Sequence, residues 1–168
     1  AAYTIAHPIT IEGHSIFQVD PGTTVTISSV IANADPNNPG VVELTGGGTL
    51  AFAAQNTYTG GTVLIDGTLE IAAMNAAGST IVLSGGLLRA MLGGTTIGAQ
   101  IGSGGQLVLD SGGVASGTII GFGGVESVGV GAADFGAVVS GGFQDVAGTT
   151  TGALLLAGGM QMIEVGGI

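Results

Sequence analysis

Few side chains in this 168-residue chain could do chemistry: eleven carboxylates, two imidazoles and one guanidinium, with no thiol among them. Glycoside hydrolysis needs two carboxylates at a fixed separation across the scissile bond. Asp66 and Glu70, flanking Gly67-Thr68, are the pair to weigh for it. Asp66 reads more simply as the first residue of an Asp-Gly turn, and Glu70 as an outward residue of a strand over residues 68–71. Lyase chemistry on a sugar acid asks for a basic residue, and Arg89 is the only one. Other repeats fill its position with Val108, Ser127, Asp145 and Met162, which marks a solvated outward site. A trio of His14, Glu12 and Asp20 would offer a metal only one imidazole and mobile carboxylates. The stretch IGSGG (101–105) has the outline of a nucleophile elbow but sits at the turn of a repeat. The calcium-binding nonapeptide is absent, although the acidic surface leaves adventitious calcium open. The expectation is a chain that is not an enzyme, with no catalytic, cofactor-binding or dedicated metal residues and no cofactor.

Composition narrows the partners. Lys and Arg total 1 against 11 acidic residues, a formal charge of -10. One arginine cannot neutralise a phosphate backbone, so nucleic acid is excluded, and an anionic membrane surface is disfavoured for the same reason. Glycine numbers 35, about one residue in five where ~7% is ordinary, which raises the question of disorder. Yet 45% of residues are hydrophobic and the mean hydropathy is +0.67, so the chain is expected to fold. No apolar stretch approaches the ~20 residues of a membrane-spanning helix.

The elements that must position these residues show in the glycines. Paired glycines recur at Gly85-Gly86, Gly104-Gly105, Gly123-Gly124, Gly141-Gly142 and Gly158-Gly159, at separations of 19, 19, 18 and 17 residues. A second glycine turn follows each pair at Gly93, Gly112, Gly131, Gly148 and Gly166. Between turns, one column runs Ala90, Leu109, Val128, Val146, Ile163 and another runs Ile101, Ile120, Val139, Leu155. Each run is three to five residues and rich in Val and Ile, the signature of short strands. A helix is excluded, since each interior glycine costs it ~1 kcal/mol. Short strands at a fixed period read as an all-β solenoid stacked at ~4.8 Å per coil, with the apolar columns inside. About eight coils would span roughly 40 Å. The acidic residues Asp110, Glu126, Asp134, Asp145 and Glu164 fall in different columns in adjacent coils, so no two carboxylates stack directly.

Residues 1–83 repeat less cleanly and read as wider, irregular coils, whereas 84–168 are regular 17–19-residue units of what is expected to be one continuous domain. The loop NADPNNPG (33–40) is the candidate protrusion. Phe122, Phe135 and Phe143 fall in adjacent coils; Phe122 and Phe135 replace Ser or small residues of the repeat, which leaves exposure of at least one of them open, with core filling or lateral packing the favoured expectation. The opening AAYTIAHP carries neither an initiator methionine nor a signal peptide, and Ile168 stops in mid-unit, so a longer parent protein is expected.

The units resemble the AIDA-type repeats of bacterial autotransporter passengers, which run GG-x-Q-x-V-x-x-GG-x-A-x-x-T-x-I. The matching residues are Gly141-Gly142-Phe143-Gln144-Asp145-Val146, Gly158-Gly159-Met160-Gln161-Met162-Ile163 and the half-unit 112–120. Upstream, LTGGGTLAFAAQNTYTGGTVLIDGTLEI (44–71) is similar to the passenger-associated transport repeat. The resemblance covers about three quarters of the chain. It implies a right-handed parallel β-helix, exported and carried on the surface of a Gram-negative bacterium, with adhesion or cell–cell aggregation as the usual outcome. The partners it suggests are further copies, through solenoid faces or ends, and a host or bacterial surface glycan or protein. Membrane attachment would come only through a translocator barrel outside this sequence. A β-helical stalk of a cell-surface enzyme and a carbohydrate-binding solenoid are the alternatives.

Overall fold

Glycines come in pairs because the two members solve different problems. In the computed structural model, which describes residues 1–73 and 79–168, Gly104 and Gly123 turn the corner with φ of +76° and +71°. That left-handed conformation is one that side chains rarely adopt. Their successors have ordinary φ, but a Cβ at Gly105 would stand 2.6 Å from the Val82 carbonyl oxygen, and one at Gly124 would stand 2.5 Å from that of Ile101. The first glycine bends the chain; the second lets it lie against the coil beneath. Corner amides then bond from coil to coil, as Gly104 N–H does to the Gly123 oxygen at 3.0 Å and Gly112 N–H to that of Gly131 at 2.9 Å.

Between corners the chain is extended and every named strand pairing is parallel, giving a β-solenoid. The first face is a nine-stranded sheet of β1 (Ala2–Ile5), β4 (Thr24–Ile27), β7 (Thr49–Phe52), β9 (Gly67–Ile71), β11 (Gly86–Ala90), β14 (Gln106–Leu109), β17 (Val125–Val128), β20 (Phe143–Val146) and β23 (Met160–Ile163). The second is an eight-stranded sheet of β3 (His14–Gln18), β6 (Val41–Thr45), β8 (Thr62–Leu64), β10 (Thr80–Val82), β13 (Gln100–Ile101), β16 (Ile119–Ile120), β19 (Val138–Val139) and β22 (Leu154–Leu155). A four-stranded sheet of β12 (Thr95–Ile97), β15 (Val114–Ser116), β18 (Ala133–Phe135) and β21 (Thr149–Thr151) closes the later coils. The pair β2 (Ile9–Ile11) and β5 (Ile31–Asn33) serves the first two.

The register matches the columns read from the sequence. Ile5, Ile27, Phe52, Ile71, Ala90, Leu109, Val128, Val146 and Ile163 align strand by strand, at spacings of 22, 25, 19, 19, 19, 19, 18 and 17 residues. The 19-residue step therefore already holds from Phe52 onward. The wide second step contains the 33–40 loop, whose residues 34–39 are exposed and closed by an Asp35–Asn38 bridge. Val82, Ile101, Ile120, Val139 and Leu155 align on the second face. Stacked aliphatic side chains bury themselves fully through most of this length: Ile27, Leu44, Leu64, Ile71, Leu109 and Val146 are all at 0% exposure. Each such side chain contributes about 1.5–3 kcal/mol of transfer free energy.

Candidate functional site

Strand alternation sends every second residue outward, and on the eight-stranded sheet those residues form one line. Val63, Ile81, Gln100, Ile119, Val138 and Leu154 are register partners along it. Ile81, Ile119 and Leu154 are 37%, 46% and 53% exposed. Beside Gln100 lies a notch of about 220 Å³ lined by Ile81, Gln100, Ile101 and Ile119. No charge interrupts the line from Val63 to Leu154; the next partner toward the N-terminus is Glu43.

Both rings for which exposure was left open are exposed: Phe122 and Phe135 stand at 83% and 45%, so core filling does not hold for them. Phe122 occupies the corner position that holds Ser84, Ser103 and Ser140 elsewhere, and projects over the next turn, where Gly141 lies against it. Phe135 is the last residue of β18, at an outward position paired with Ser116 and Thr151. Phe143 is half-buried on the outer side of β20.

The residues weighed for catalysis are engaged structurally. Asp66 Oδ1 accepts the N–H of the next residue, Gly67, at 2.7 Å. Glu70 and Arg89 are cross-strand partners 3.8 Å apart, and Arg89 Nε donates to Asp110 Oδ2 at 2.6 Å. That Asp110 bond, then its charge, holds the guanidinium above its ordinary pKa. His14 starts β3 with Nδ1 3.6 Å from Glu43 Oε2, so its acidic neighbour is neither Glu12 nor Asp20. Among the described residues no group of three His, Asp or Glu is placed to hold a metal.

The stretch NTYTGGT is a buried clamp. Asn56 Oδ1 accepts the Ile31 N–H at 2.9 Å. The Tyr58 ring is fully buried, edge-on to Phe52 at 6.5 Å, and its hydroxyl is bonded to that of Thr62. Burial pushes the phenol up to about 12 despite that bond. Asn33 Oδ1 takes the Gly40 and Thr59 N–H groups at 2.9 and 3.2 Å, tying the protruding loop to the same turn.

One cluster is not anticipated by the column reading. The stack two residues before the Ala90–Ile163 column runs Leu50, Leu69, Leu88, Leu107, Glu126, Gln144, Gln161. Glu126 and Gln144 are fully buried, as is Asp134 from β18. Gln144 Nε2 donates to Glu126 Oε2 at 2.7 Å and to Asp134 Oδ2 at 3.0 Å, and Gln161 Nε2 donates to Gln144 Oε1 at 2.7 Å. The carboxylates do occupy different columns, as expected, yet they converge inside one coil. Desolvation, then the charge of Asp134, pushes Glu126 up to about 8; desolvation likewise raises Asp134. The signal was present in the alternation of β17, where Glu126 shares the inward parity of Val128.

Comparisons with known proteins follow this geometry. Residues 42–71, which hold the Asn56–Tyr58–Thr62 clamp, match the family Passenger-associated-transport-repeat. No curated protein matches the chain. Among solved structures it is similar to the crystal structure of the TibC-catalyzed hyper-glycosylated TibA55-350 fragment. That match has 22% identity and a TM-score of 0.42, over 99% of this chain and 76% of that one.

Proposed function

We propose that this chain, an autotransporter passenger segment by its transport repeat, is a non-enzymatic adhesive module that associates laterally with further copies of itself. Passengers of this type are secreted or displayed at the cell surface; for this one we place the display at the outer membrane of a Gram-negative cell. The observation that carries the reading is the uncharged apolar ridge Ile81–Ile119–Leu154 on a chain whose formal charge is -10. Carboxylates oppose the approach of a second copy elsewhere, while along this ridge association costs little electrostatically and buries apolar surface. Salt shortens the Debye length, so association strengthens with ionic strength. Sedimentation of the purified chain at low and high salt tests this. The wild type shifts to larger species at high salt, and Ile119→Asp with Leu154→Asp remains monomeric. A wild type that is monomeric throughout overturns self-association.

Phe122 favours a second reading, carbohydrate binding, because sugars stack on exposed rings and this one is 83% exposed. Glycan-array binding that Phe122→Ala abolishes would support it.

A further inference from the structure

The interior of the later coils holds two carboxylates, and among the described residues no basic side chain faces them. Glu126 and Asp134 are at 0% exposure and share one amide nitrogen, that of Gln144. Glu126 Oε1 and Asp134 Oδ1 have no hydrogen-bond partner among the described residues. The chain's one basic side chain, Arg89, is committed to Asp110 and Glu70 on the outer side of the nine-stranded sheet. Around Glu126 the packed elements contribute Leu107 from β14, Gln144 from β20, Val128 from its own strand and Thr118 from the preceding turn. Asp134 on β18 is the one titratable group facing it among the described residues; Asp145 alternates to the outer side of β20.

Two like charges in a dry interior cannot both persist without a counter-charge. We propose that the Glu126–Asp134 pair retains a proton in the folded chain and acts as a pH-sensitive latch, whose deprotonation in mildly alkaline solution loosens the coils from β17 onward and leaves the leucine-filled coils closed. A proton on either carboxylate removes one of the two buried charges, and with it the repulsion across the pair. Solenoid coils contact only their neighbours, so a local cost opens a local segment.

The sign follows from proton counting. Glu126 sits near 8 when folded against an ordinary 4.5, so the folded chain binds the extra proton. The stability that this proton contributes to the later coils is therefore fully present below about 4.5, falls as pH rises, and is lost above about 8.

Hydrogen exchange of the full chain, corrected for intrinsic rates, tests the latch. Between mildly acidic and mildly alkaline solution, amides of residues 125–146 are expected to lose protection on the order of 10- to 100-fold. Those of residues 67–71 should change far less. Glu126→Gln should retain protection at alkaline pH, and Asp134→Asn, which removes the opposing charge, serves if the first variant fails to fold. Glu164→Gln, changing a carboxylate on the exposed last coil, should behave as wild type. Equal pH dependence in both regions overturns the latch, as does a Glu126→Gln chain that still loses protection. Calcium restoring protection to the wild type at alkaline pH also overturns it, because a metal ion rather than a proton would then neutralise the pair.

Discussion

From β7 to β14 the central stack of the solenoid is four leucines, Leu50, Leu69, Leu88 and Leu107, all fully buried. From β17 to β23 the same stack, in the same register, is Glu126, Gln144 and Gln161. The corners do not change between the two regions: Gly104 and Gly141 turn at φ of +76° and +74°. The comparison teaches that coil geometry is dictated by corner glycines and coil-to-coil main-chain bonds, while the interior is free to be greasy or polar provided its polar groups find partners. Main-chain pairing fixes the shape; side-chain content decides how firmly, and under which conditions, each coil is held.

The sharpest way to break that comparison is to put a carboxylate where no amide awaits it. Leu88→Glu, between Leu69 and Leu107, is expected to destabilise the chain by more than about 4 kcal/mol, measured by urea unfolding. If it costs no more than a conservative core change, partner groups are not what makes Glu126 tolerable. Next in size is the converse. Glu126→Leu with Asp134→Ala copies the Leu107 and Ala115 of the preceding coil and is expected to stabilise by about 1–3 kcal/mol. The gain should be larger at pH 9 than at pH 6, because the wild-type pair is ionised at the higher pH. A loss of stability at both pH values would mean that the amide ladder itself, through Gln144, is the better interior. The smallest effect belongs to the outer surface. Arg89→Ala breaks its contacts with Glu70 and Asp110 and is expected to cost up to about 1 kcal/mol, less at high salt. A larger and salt-insensitive loss would assign Arg89 a packing role across β9, β11 and β14.

Much of this was legible in the residues. Glycine spacing gave the period, and the Ala90–Ile163 column gave the register, because a parallel stack repeats its side chains at one position per coil. Arg89 read correctly as an outward residue for the same reason. Glu126 is harder to read: in the column two residues earlier four leucines precede a glutamate, and only strand alternation reveals that the glutamate still points inward. The exposure of Phe122 is legible in its corner position, which is serine in three other coils and bends the side chain outward. The early coils hid their period because steps of 22 and 25 residues absorb extra corners and the 33–40 loop.

The paired-glycine corner has a consequence for length. Where successive rungs are joined by the same two-glycine hinge, as from Gly85-Gly86 onward, the molecule behaves as a ruler that can be cut between equivalent marks. Excising residues 88–106 would join Leu87 to Leu107, a register-conserving splice that shortens the rod by one strand spacing of ~4.8 Å and leaves both ends as they are. Reach can thus be altered in whole-coil increments without redesigning either terminus.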